Sequence, residues 1–492
     1  MVMMFIMKLI IKIFPEINIK SKYVRLLFIK NLSYNIKHVL RYNHVYVNVM
    51  YFWDKIEIFI NKNMNHKHIC NILVNIPGIQ YVLIIEEYSF LDIHDIANQT
   101  YTKYKNILEK KTFCVRVKRN GNHNFTSVKA EQYIGNILNN QINSASVKLN
   151  EPDITIDIEI NNKKFFFVIC KLQGLGGFPI GTQGNVLSLI SGGFDSTVSS
   201  YMLLRRGCRV HYCFFNFGDI NHEINVKQIV YYLWHRFGSS HTVKFFSINF
   251  VPVITELFRT INKSYINIIL KRIMIRIASK IAVNYKIQAL ATGDSIGQVA
   301  SQTLINLSLI DNITDHLILR PLISYDKENI INIARDIGTA DISSKIPELC
   351  GMSLKKPITA AKIMDVEYQE AKFNLAILDV VIKEISIIDI QKIYFNLKLN
   401  SVIQDIEIVS IYHNNDVIID IRLPEEQEKN PLKCDDVEIK LIPFYNLLKE
   451  IVKFPKNKTY LLYCQHGVMS RLQANYLFIN GINNLKVYIP KK

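Results

Sequence analysis

The chain has 492 residues, of which 49% are hydrophobic and only 13 are Pro and 19 Gly, so its length and composition predict about three or four folded domains. No apolar run reaches the roughly 18 residues that a membrane-spanning helix needs, which argues against a membrane protein. Of the net charge of +17, residues 1–171 carry the larger share, with 23 Lys and Arg against 13 Asp and Glu. This excess predicts an acidic partner such as RNA on the first third, although the chain is rich in Lys, Asn and Ile throughout.

The N-terminal segment 1–14 is apolar, but Lys8 and Lys12 interrupt it and no small-residue cleavage site follows. It therefore predicts a first strand rather than a signal peptide, with Met7 as an alternative start and a cytoplasmic location. The eight cysteines form no C-x-x-C pair and have no regular spacing, so we expect neither a disulfide framework nor a zinc ribbon, and no stably bound metal. They are Cys70, Cys114, Cys170, Cys208, Cys213, Cys350, Cys434 and Cys464.

Residues 7–60 alternate short apolar segments with basic residues. The pattern predicts a strand over 9–14, a basic helix over 22–41 and strands over 45–49 and 55–60. A small α+β unit fits this order.

The next third contains two alternating segments, 112–118 and 147–160, on either side of a polar loop, 119–124, and a helical segment, 127–138. The first strand and the loop are predicted to bring basic side chains to one face suited to phosphate contacts, and an ordinary solvated hairpin is the alternative. Those side chains are Arg116, Lys118, Arg119 and His123.

A glycine-rich connector, 174–185, precedes the most informative stretch of the chain. Residues 186–190 predict a buried strand, SGGFDS at 191–196 a tight turn, and 197–206 a helix. Such a turn points backbone N–H groups at a helix N-terminus, where a phosphate is favoured. Because no Lys-Ser or Lys-Thr pair follows the glycines, this is not a Walker A loop. The alternative is a glycine turn of any parallel α/β unit.

Strands and helices then alternate as far as about residue 341, which predicts a doubly wound parallel sheet with SGGFDS at the carboxyl end of its first strand. Lys271, Arg272 and Arg276 lie at helical spacing and can reach phosphates or RNA, or can form a solvated face. The segment 292–303 predicts a second polar rim of the same crevice, and Lys327 lies near that edge.

Two cysteines follow the sheet. Cys350 is predicted in an accessible loop next to Gly351, where a thiol needs a lowered pKa or a partner thiol to react. Residues 352–400 read as helical and linking.

Cys464 directly follows a predicted strand, 459–463, and begins a loop that leads into a predicted helix, 472–478. The backbone N–H groups and the dipole at such a helix start stabilise a thiolate or persulfide. A phosphatase-type C-x5-R loop is the competitor, but six residues separate Cys464 from Arg471, one too many.

Four resemblances rest on these segments. TFCVRVKRNGNHNFTS and VKLNEPDITIDIEI resemble a THUMP domain, an RNA-binding module that holds the acceptor end of tRNA, and the first 60 residues resemble its ferredoxin-like companion. SGGFDS resembles a pyrophosphatase-type loop that splits ATP between its α and β phosphates. The loop C-x-x-G-x-x-S-R with the upstream Asp420-x-Arg422 resembles a rhodanese domain.

Together the four resemble the tRNA 4-thiouridine synthetases, which also serve thiamine biosynthesis, over the chain from Met7 to its end. The resemblance implies a ferredoxin-like domain over 1–66, a THUMP domain over 67–171, an adenylating domain over 172–400 and a rhodanese-like domain over 401–492.

The family pattern also implies roles for individual residues. ATP, expected with Mg²⁺, would contact Leu189, Ile190, Ser191, Gly192, Gly193, Asp195, Ser196, Lys271, Gly293 and Gln302. Asp195 and Lys327 would serve activation, Cys464 would carry the persulfide, and Cys350 would close a transient disulfide with it.

The implied activity is adenylation of a tRNA uridine, position 8 in the family, followed by sulfur transfer from Cys464. The implied partners are tRNA, a cysteine desulfurase that donates the sulfur, and a small sulfur-carrier protein of thiazole synthesis. An ATP-dependent amidating ligase of the same loop class and a non-catalytic tRNA-binding protein are the alternatives.

Overall fold

The computed structural model describes residues 6–61, 64–217, 220–344, 346, 357–393, 406–413, 415–422, 424–465, 467–479 and 481–490. Cys350 lies outside these residues. The chain divides into two units, Met1–Phe178 and Pro179–Lys492. Among the described residues, no helix is both long and apolar enough to cross a membrane.

The first unit is built on one sheet of eight strands in the order β2-β3-β1-β4-β8-β7-β5-β6. The strands are β1 Ile6–Ile13, β2 Asn48–Tyr51, β3 Lys55–Asn61, β4 Ile79–Ser89, β5 Thr112–Asn120, β6 Ser146–Val147, β7 Ile154–Asn161 and β8 Lys164–Gln173. The helices are α1 Pro15–Asn18, α2 Lys22–Tyr42, α3 His66–Leu73, α4 Ile93–Tyr104 and α5 Ser127–Gln141.

Two of the hydrophobic clusters on this sheet pack helices against it. In one, apolar residues of α2 and α3 such as Ile29 and Cys70 pack on β1 to β4. In the other, residues of α4 and α5 such as Ile134 pack on β5, β7 and β8. The sheet therefore runs continuously through the predicted ferredoxin-like and THUMP regions, and the first core takes residues from both sides of position 66. The segment 147–160, predicted as one alternating strand, divides into β6 and β7.

The second unit contains two sheets. The first has the order β13-β12-β9-β10-β11-β14, and all its pairings are parallel except that of β11 with β14. Its strands are β9 Asn185–Leu189, β10 Arg209–Asn216, β11 Lys244–Asn249, β12 Ala289–Ala291, β13 Leu317–Leu319 and β14 Ser386–Asp389. Its helices are α6 Phe194–Arg205, α7 Ile220–Leu233, α8 Val251–Thr260, α9 Ile266–Asn284, α10 Leu304–Asp311, α11 Lys327–Asp336, α12 Ala340–Ser343, α13 Ile363–Glu370 and α14 Ala376–Lys383.

Helices cover both faces of this sheet, so the predicted doubly wound architecture is confirmed. Isoleucines of α9 such as Ile273 and Ile277 form the core of one face with α8, α13 and α14, while α6 and α7 contact β9 and β10. The strand order reverses between β9 and β12, and ligands of such sheets bind at that point. The antiparallel edge strand β14 was not predicted, because 352–400 was read as helical and linking.

The second sheet is fully parallel, in the order β15-β19-β18-β16-β17. Its strands are β15 Ile408–Val409, β16 Val417–Asp420, β17 Glu438–Leu441, β18 Tyr460–Tyr463 and β19 Leu485–Tyr488, and its helices are α15 Pro424–Lys429, α16 Leu447–Ile451 and α17 Val468–Ile479. Cys464 directly follows β18, at the carboxyl edge of the sheet.

Candidate active site

The loop after β9 is closed by its own serines. Ser196 Oγ accepts a hydrogen bond from the Ser191 N–H at 3.1 Å, and the Ser191 carbonyl accepts one from His222 Nε2 at 2.8 Å. Gly192 has φ +82°, and a Cβ there would lie 2.5 Å from Ile346 Cδ1, so the turn needs glycine at this position. Helix α6 begins at Phe194 with Gly193 as its N-cap, three residues earlier than predicted. Asp195 and Ser196 therefore lie in its first turn, where unpaired N–H groups favour an anion.

Asp195 and Lys327 meet across the crevice. Lys327, the first residue of α11, places Nζ 2.9 and 3.1 Å from the two carboxylate oxygens of Asp195. Gln298 Nε2 donates to the same carboxylate at 3.2 Å. The predicted proximity of Lys327 to the loop is confirmed, and the pair puts a cation beside the helix N-terminus.

Gly293 brings the loop after β12 against the start of α6. A Cβ on Gly293 would lie 2.6 Å from the Asp195 carbonyl carbon and 2.7 Å from the Ser196 nitrogen. Because both neighbours are backbone atoms, no larger residue fits here without moving the SGGFDS loop. The two loops thus form one crevice at the switch point between β9 and β12.

Lys271 and Gln302 both bond Asp294 at this crevice, a residue that the sequence did not single out. Its Oδ1 atom lies 2.8 Å from Lys271 Nζ and accepts a hydrogen bond from Gln302 Nε2 at 3.0 Å. Its Oδ2 atom accepts from Thr292 Oγ1 at 2.7 Å and faces Arg320 Nε at 3.3 Å. Burial alone would raise the pKa of Asp294, but the Lys271 ammonium and the Thr292 and Gln302 donors outweigh it and hold the pKa well below its usual range.

One acceptor in the crevice lacks a donor. The side-chain carbonyl oxygen of Gln302 is buried, and none of the described residues donates a hydrogen bond to it. An orphaned buried acceptor beside a lysine and a helix N-terminus fits a polar ligand such as a nucleotide.

The remaining predicted contact residues lie close by. Leu189 is half-buried and Ile190 buried at the end of β9, where the Ile190 N–H donates to the Cys213 carbonyl at 2.9 Å. Their assignment to ATP, like that of the whole predicted set, stays a prediction.

The alternatives for the α9 cations resolve differently for each residue. Arg272 is 4% exposed and pairs with Glu370 at 2.7 Å, and Arg276 pairs with the same carboxylate at 3.2 Å. Both alternatives are therefore wrong for Arg272, because it neither lies on a solvated face nor reaches phosphates or RNA. Lys271 alone of the three contacts the crevice network.

Cys464 occupies a second strand, loop and helix arrangement. Cys464 is 8% exposed, and its Sγ accepts a hydrogen bond from the Ser470 N–H at 3.2 Å and lies 3.3 Å from Ser470 Oγ. Gly467, with φ +69°, turns the chain into α17, and a Cβ there would lie 2.7 Å from Ile489 Cδ1. The predicted exposure of the Cys464 sulfur to helix N-terminal donors is confirmed for Ser470.

The upstream Asp420-x-Arg422 pair lies next to this loop and contacts the residue before Cys464. Both side chains are buried, and Arg422 meets the Asp420 carboxylate with Nε at 2.9 Å and Nη2 at 2.5 Å. The Arg422 guanidinium also lies 5.0 Å from the Tyr463 ring centroid. These contacts fix the end of β16 beside β18 and thereby the position of Cys464.

A cleft opens beside Cys464, and helix α7 and its continuation form one wall. Tyr231, Tyr232 and His235 line it from that side, and Arg422, Phe444 and Met469 from the other. Burial lowers the pKa of His235 to about 4, so this wall is neutral at neutral pH.

The loop and Cys464 lie at different ends of α7. His222 near its start contacts Ser191, whereas Tyr231 and His235 near its end line the Cys464 cleft. At about 1.5 Å per helical residue, the two sites are roughly 15–20 Å apart along this helix. The structure thus gathers Asp195, Lys327, Lys271, Gln302 and Gly293 in one crevice and leaves Cys464 outside it.

The four side chains predicted to share one face of the first unit divide into two pairs. Arg116 and Lys118 are exposed at alternate positions of β5. Arg119 lies on the opposite face by alternation and holds His123, with Nη1 3.2 Å from Nδ1. The prediction of one face shared by all four is therefore wrong, while Arg116 and Lys118 remain available to solvent or RNA.

Within the described part of the chain, no group of three or more His, Cys, Asp and Glu could hold a metal ion. The residues of this network that the sequence did not single out are Asp294, Arg320, Gln298 and His222. A carboxylate three residues after the end of β12, next to Gly293, was the signal available for Asp294.

Comparison with known proteins agrees with this organisation. A family model for the Thiamine biosynthesis protein (ThiI) matches residues 181–375, and one for the THUMP domain matches residues 90–169. Among solved structures, the chain is similar to the crystal structure of a 4-thiouridine synthetase in complex with RNA and bound ATP, with a TM-score of 0.68 and 27% identity over 78% of this chain and 99% of that chain. The fold and the crevice thus define a nucleotide-binding α/β protein with a pyrophosphatase-type loop and an attached THUMP domain.

Full-length relatives narrow the class further. The chain is 51% identical over 484 residues to the tRNA sulfurtransferases of Photorhabdus laumondii and of Escherichia coli K12, covering 98% of this chain and 100% of each relative. The chain belongs to the tRNA sulfurtransferase family.

Proposed function

We propose that this chain makes 4-thiouridine in tRNA by adenylating a uridine, position 8 as the family implies, and replacing its O4 with sulfur carried by Cys464. The observation that carries the proposal is the Asp195–Lys327 pair at the start of α6, 2.9 Å apart, on a loop that holds backbone donors for phosphate. A chain that only binds RNA has no use for such a charged crevice.

ATP fits this crevice through its chemistry. The N-terminal N–H groups of α6 and the ammonium groups of Lys271 and Lys327 complement phosphate oxygens, and the orphaned Gln302 oxygen complements a nucleoside donor. The Asp195 carboxylate supplies the hard oxygen ligands that Mg²⁺ prefers. The tight contact of Gly293 with Asp195 and Ser196 keeps these groups in register.

In the activation step, the uridine O4 attacks the α phosphate, the α–β bond breaks and pyrophosphate leaves. Lys327, fixed by Asp195, stabilises the negative charge that builds up on the transferring phosphate, together with the helix N-terminus. The product is an adenylated O4, which departs as AMP in the next step.

In the sulfur step, a cysteine desulfurase first loads Cys464 as a persulfide. The terminal sulfur attacks C4 of the activated uridine, and AMP leaves. The Cys350 thiolate attacks Sγ of Cys464, either breaking the S–S bond of the resulting adduct or releasing sulfide before the attack on C4. Either route leaves a Cys350–Cys464 disulfide that a dithiol reductant must reduce. The Ser470 N–H at 3.2 Å stabilises the sulfur anion of Cys464 during these exchanges.

The same carrier sulfur would serve a small sulfur-carrier protein for thiazole synthesis. We assign the ferredoxin-like and THUMP regions, 1–66 and 67–171, to tRNA binding in the cytoplasm. We assign 172–400 to adenylation and 401–492 to a rhodanese-like sulfur carrier.

The test is a reconstitution with tRNA, ATP with Mg²⁺, a cysteine desulfurase and cysteine labelled in its sulfur. We expect label in the tRNA with the wild-type chain, and a loss of at least about 100-fold with Cys464→Ser. Cys434→Ser is the matched control, because Cys434 is a half-buried cysteine of the same C-terminal region, and this variant should label tRNA normally.

Labelling by Cys464→Ser at the wild-type rate would refute the carrier role. Turnover with ammonia or glutamine and no requirement for Cys464 would identify an amidating ligase. Binding of tRNA with no release of AMP or pyrophosphate would identify a non-catalytic RNA-binding protein.

A further inference from the structure

Asp294 joins three separate elements at the switch point. It lies in the loop after β12, is 7% exposed, and gathers Lys271 of α9, Gln302 of the 3₁₀ turn Ala300–Gln302 and Arg320 after β13. Four side chains converge on its two oxygens, so the carboxylate has a single conformation in this environment.

Two of these partners are the residues predicted to contact the nucleotide, and both use the same oxygen. Because Lys271 Nζ and Gln302 Nε2 both lie within 3.0 Å of Asp294 Oδ1, the carboxylate sets the distance between the ammonium and the amide. Without this oxygen, Lys271 and Gln302 would have independent rotamers on separate elements.

Asp294 also decides which way the Gln302 amide faces. A carboxylate only accepts hydrogen bonds, so Gln302 must direct its NH₂ group towards Asp294 and its carbonyl oxygen away. That oxygen is the buried acceptor to which none of the described residues donates. The amide is thereby committed to accept from a ligand N–H or O–H.

We propose that Asp294 is the positioning residue of the nucleotide site: it holds the Lys271 ammonium for a phosphate and fixes the Gln302 oxygen as an acceptor for a donor group of the nucleoside. This inference rests on the proposed function, because it takes the crevice to bind ATP. Asp294 does not touch the ligand itself and acts through its two partners.

The experiment is a double-mutant cycle on the Kd of ATP with the full chain, using Asp294→Asn, Lys271→Met and the double variant. We expect Asp294→Asn to weaken ATP binding about tenfold, since a charge-assisted bond that holds Lys271 is lost. In the Lys271→Met background the same change should cost no more than about threefold, because the main partner is already gone. A purely structural role would give the same factor in both backgrounds, and that result would overturn the proposal.

Asp311→Asn is the matched control. Asp311 pairs with the other edge of Arg320 at 2.8 Å, and no hydrogen bond or ion pair joins it to Lys271 or Gln302 within the described residues, so we expect the Kd of ATP to change by less than about twofold. If Asp294→Asn fails to fold, Thr292→Val replaces it: this variant removes one donor to Oδ2, keeps the charge and should weaken binding about two- to threefold. An unchanged Kd in folded Thr292→Val would then count against the proposal.

The Gln302 part is tested with 2′-deoxyATP, 3′-deoxyATP and a purine nucleotide without the 6-amino group. The wild type should bind at least one of these analogues about tenfold more weakly than ATP, and Gln302→Leu should lose that preference. Equal preference in both chains would refute the acceptor role. Failure of the wild type to bind ATP would refute the proposed function instead, so the two failures are distinguishable.

Discussion

The Asp195 crevice and the Cys464 loop use the same backbone arrangement for different chemistry. Each lies where a parallel strand ends, turns through a glycine with positive φ and enters a helix N-terminus. Around Asp195 the side chains are charged and paired, with Lys327 and Gln298 on one carboxylate. Around Cys464 the side of the cleft that α7 forms is aromatic and neutral, and the Ser470 N–H donates to the sulfur. The backbone favours an anion in both, and under the proposed function the side chains determine that this anion is a phosphate at Asp195 and a sulfur at Cys464.

Among the variants that test this comparison, Asp195→Asn should have the largest effect on activity. It removes the negative partner of Lys327 and should lower 4-thiouridine formation about 10³-fold, because the ammonium loses its fixed position beside the transferring phosphate. Loading of Cys464 by the desulfurase, measured as labelled persulfide, should be unchanged. Asp336→Asn, at the exposed other end of α11, is the control and should retain full activity. Loss of loading in Asp195→Asn would show that the two sites are not independent.

A change on the Cys464 side should act on stability. Asp420→Asn removes the fully buried carboxylate that pairs with the Arg422 guanidinium, and the free energy of unfolding should fall by about 3 kcal/mol in urea titrations. Glu438→Gln breaks exposed pairs with Lys440 and Lys458 in the same sheet and should cost less than about 1 kcal/mol. The Kd of ATP should remain at the wild-type value in both. Equal effects of the two variants would contradict the assignment of Asp420 to a buried pair.

The smallest effect concerns the neutral wall of the cleft. Burial lowers the pKa of His235 to about 4, whereas in the unfolded chain it is about 6.5. Between these values only the unfolded chain binds the extra proton. The contribution of neutral His235 to the free energy of unfolding is therefore complete above about pH 6.5 and is lost as the pH falls towards 4. At about pH 5 the loss attributable to His235 should be roughly 2 kcal/mol.

The measurement is the free energy of unfolding of the wild type and of His235→Gln at about pH 7.5 and pH 5. The decrease between the two should be smaller in His235→Gln, and His413→Gln, at a solvent-exposed position, should behave as the wild type. An identical decrease in His235→Gln would show that the cleft wall tolerates a charge.

The sequence predicted well what depends on neighbours along the chain. The strand, glycine turn and helix around SGGFDS were confirmed because their signals are local, with the start of α6 displaced by three residues. The approach of Lys327 to the loop followed from the rule that parallel strands present their carboxyl ends at one edge.

What the sequence did not predict depends on residues far apart. Asp294 was missed because its partners Lys271 and Arg320 lie 23 and 26 positions away, and no period connects them. The burial of Arg272 requires Glu370, 98 positions later. The strand β14 escaped because four residues at a sheet edge carry too little pattern to stand out from a helical neighbourhood.

The position of α7 between the two sites has a kinetic consequence. With His222 at the SGGFDS loop and Tyr231 at the cleft, the proposed function predicts that a sulfur donor can reach Cys464 while ATP occupies the crevice. On that proposal, the adenylation of the uridine and the loading of Cys464 can occur in either order.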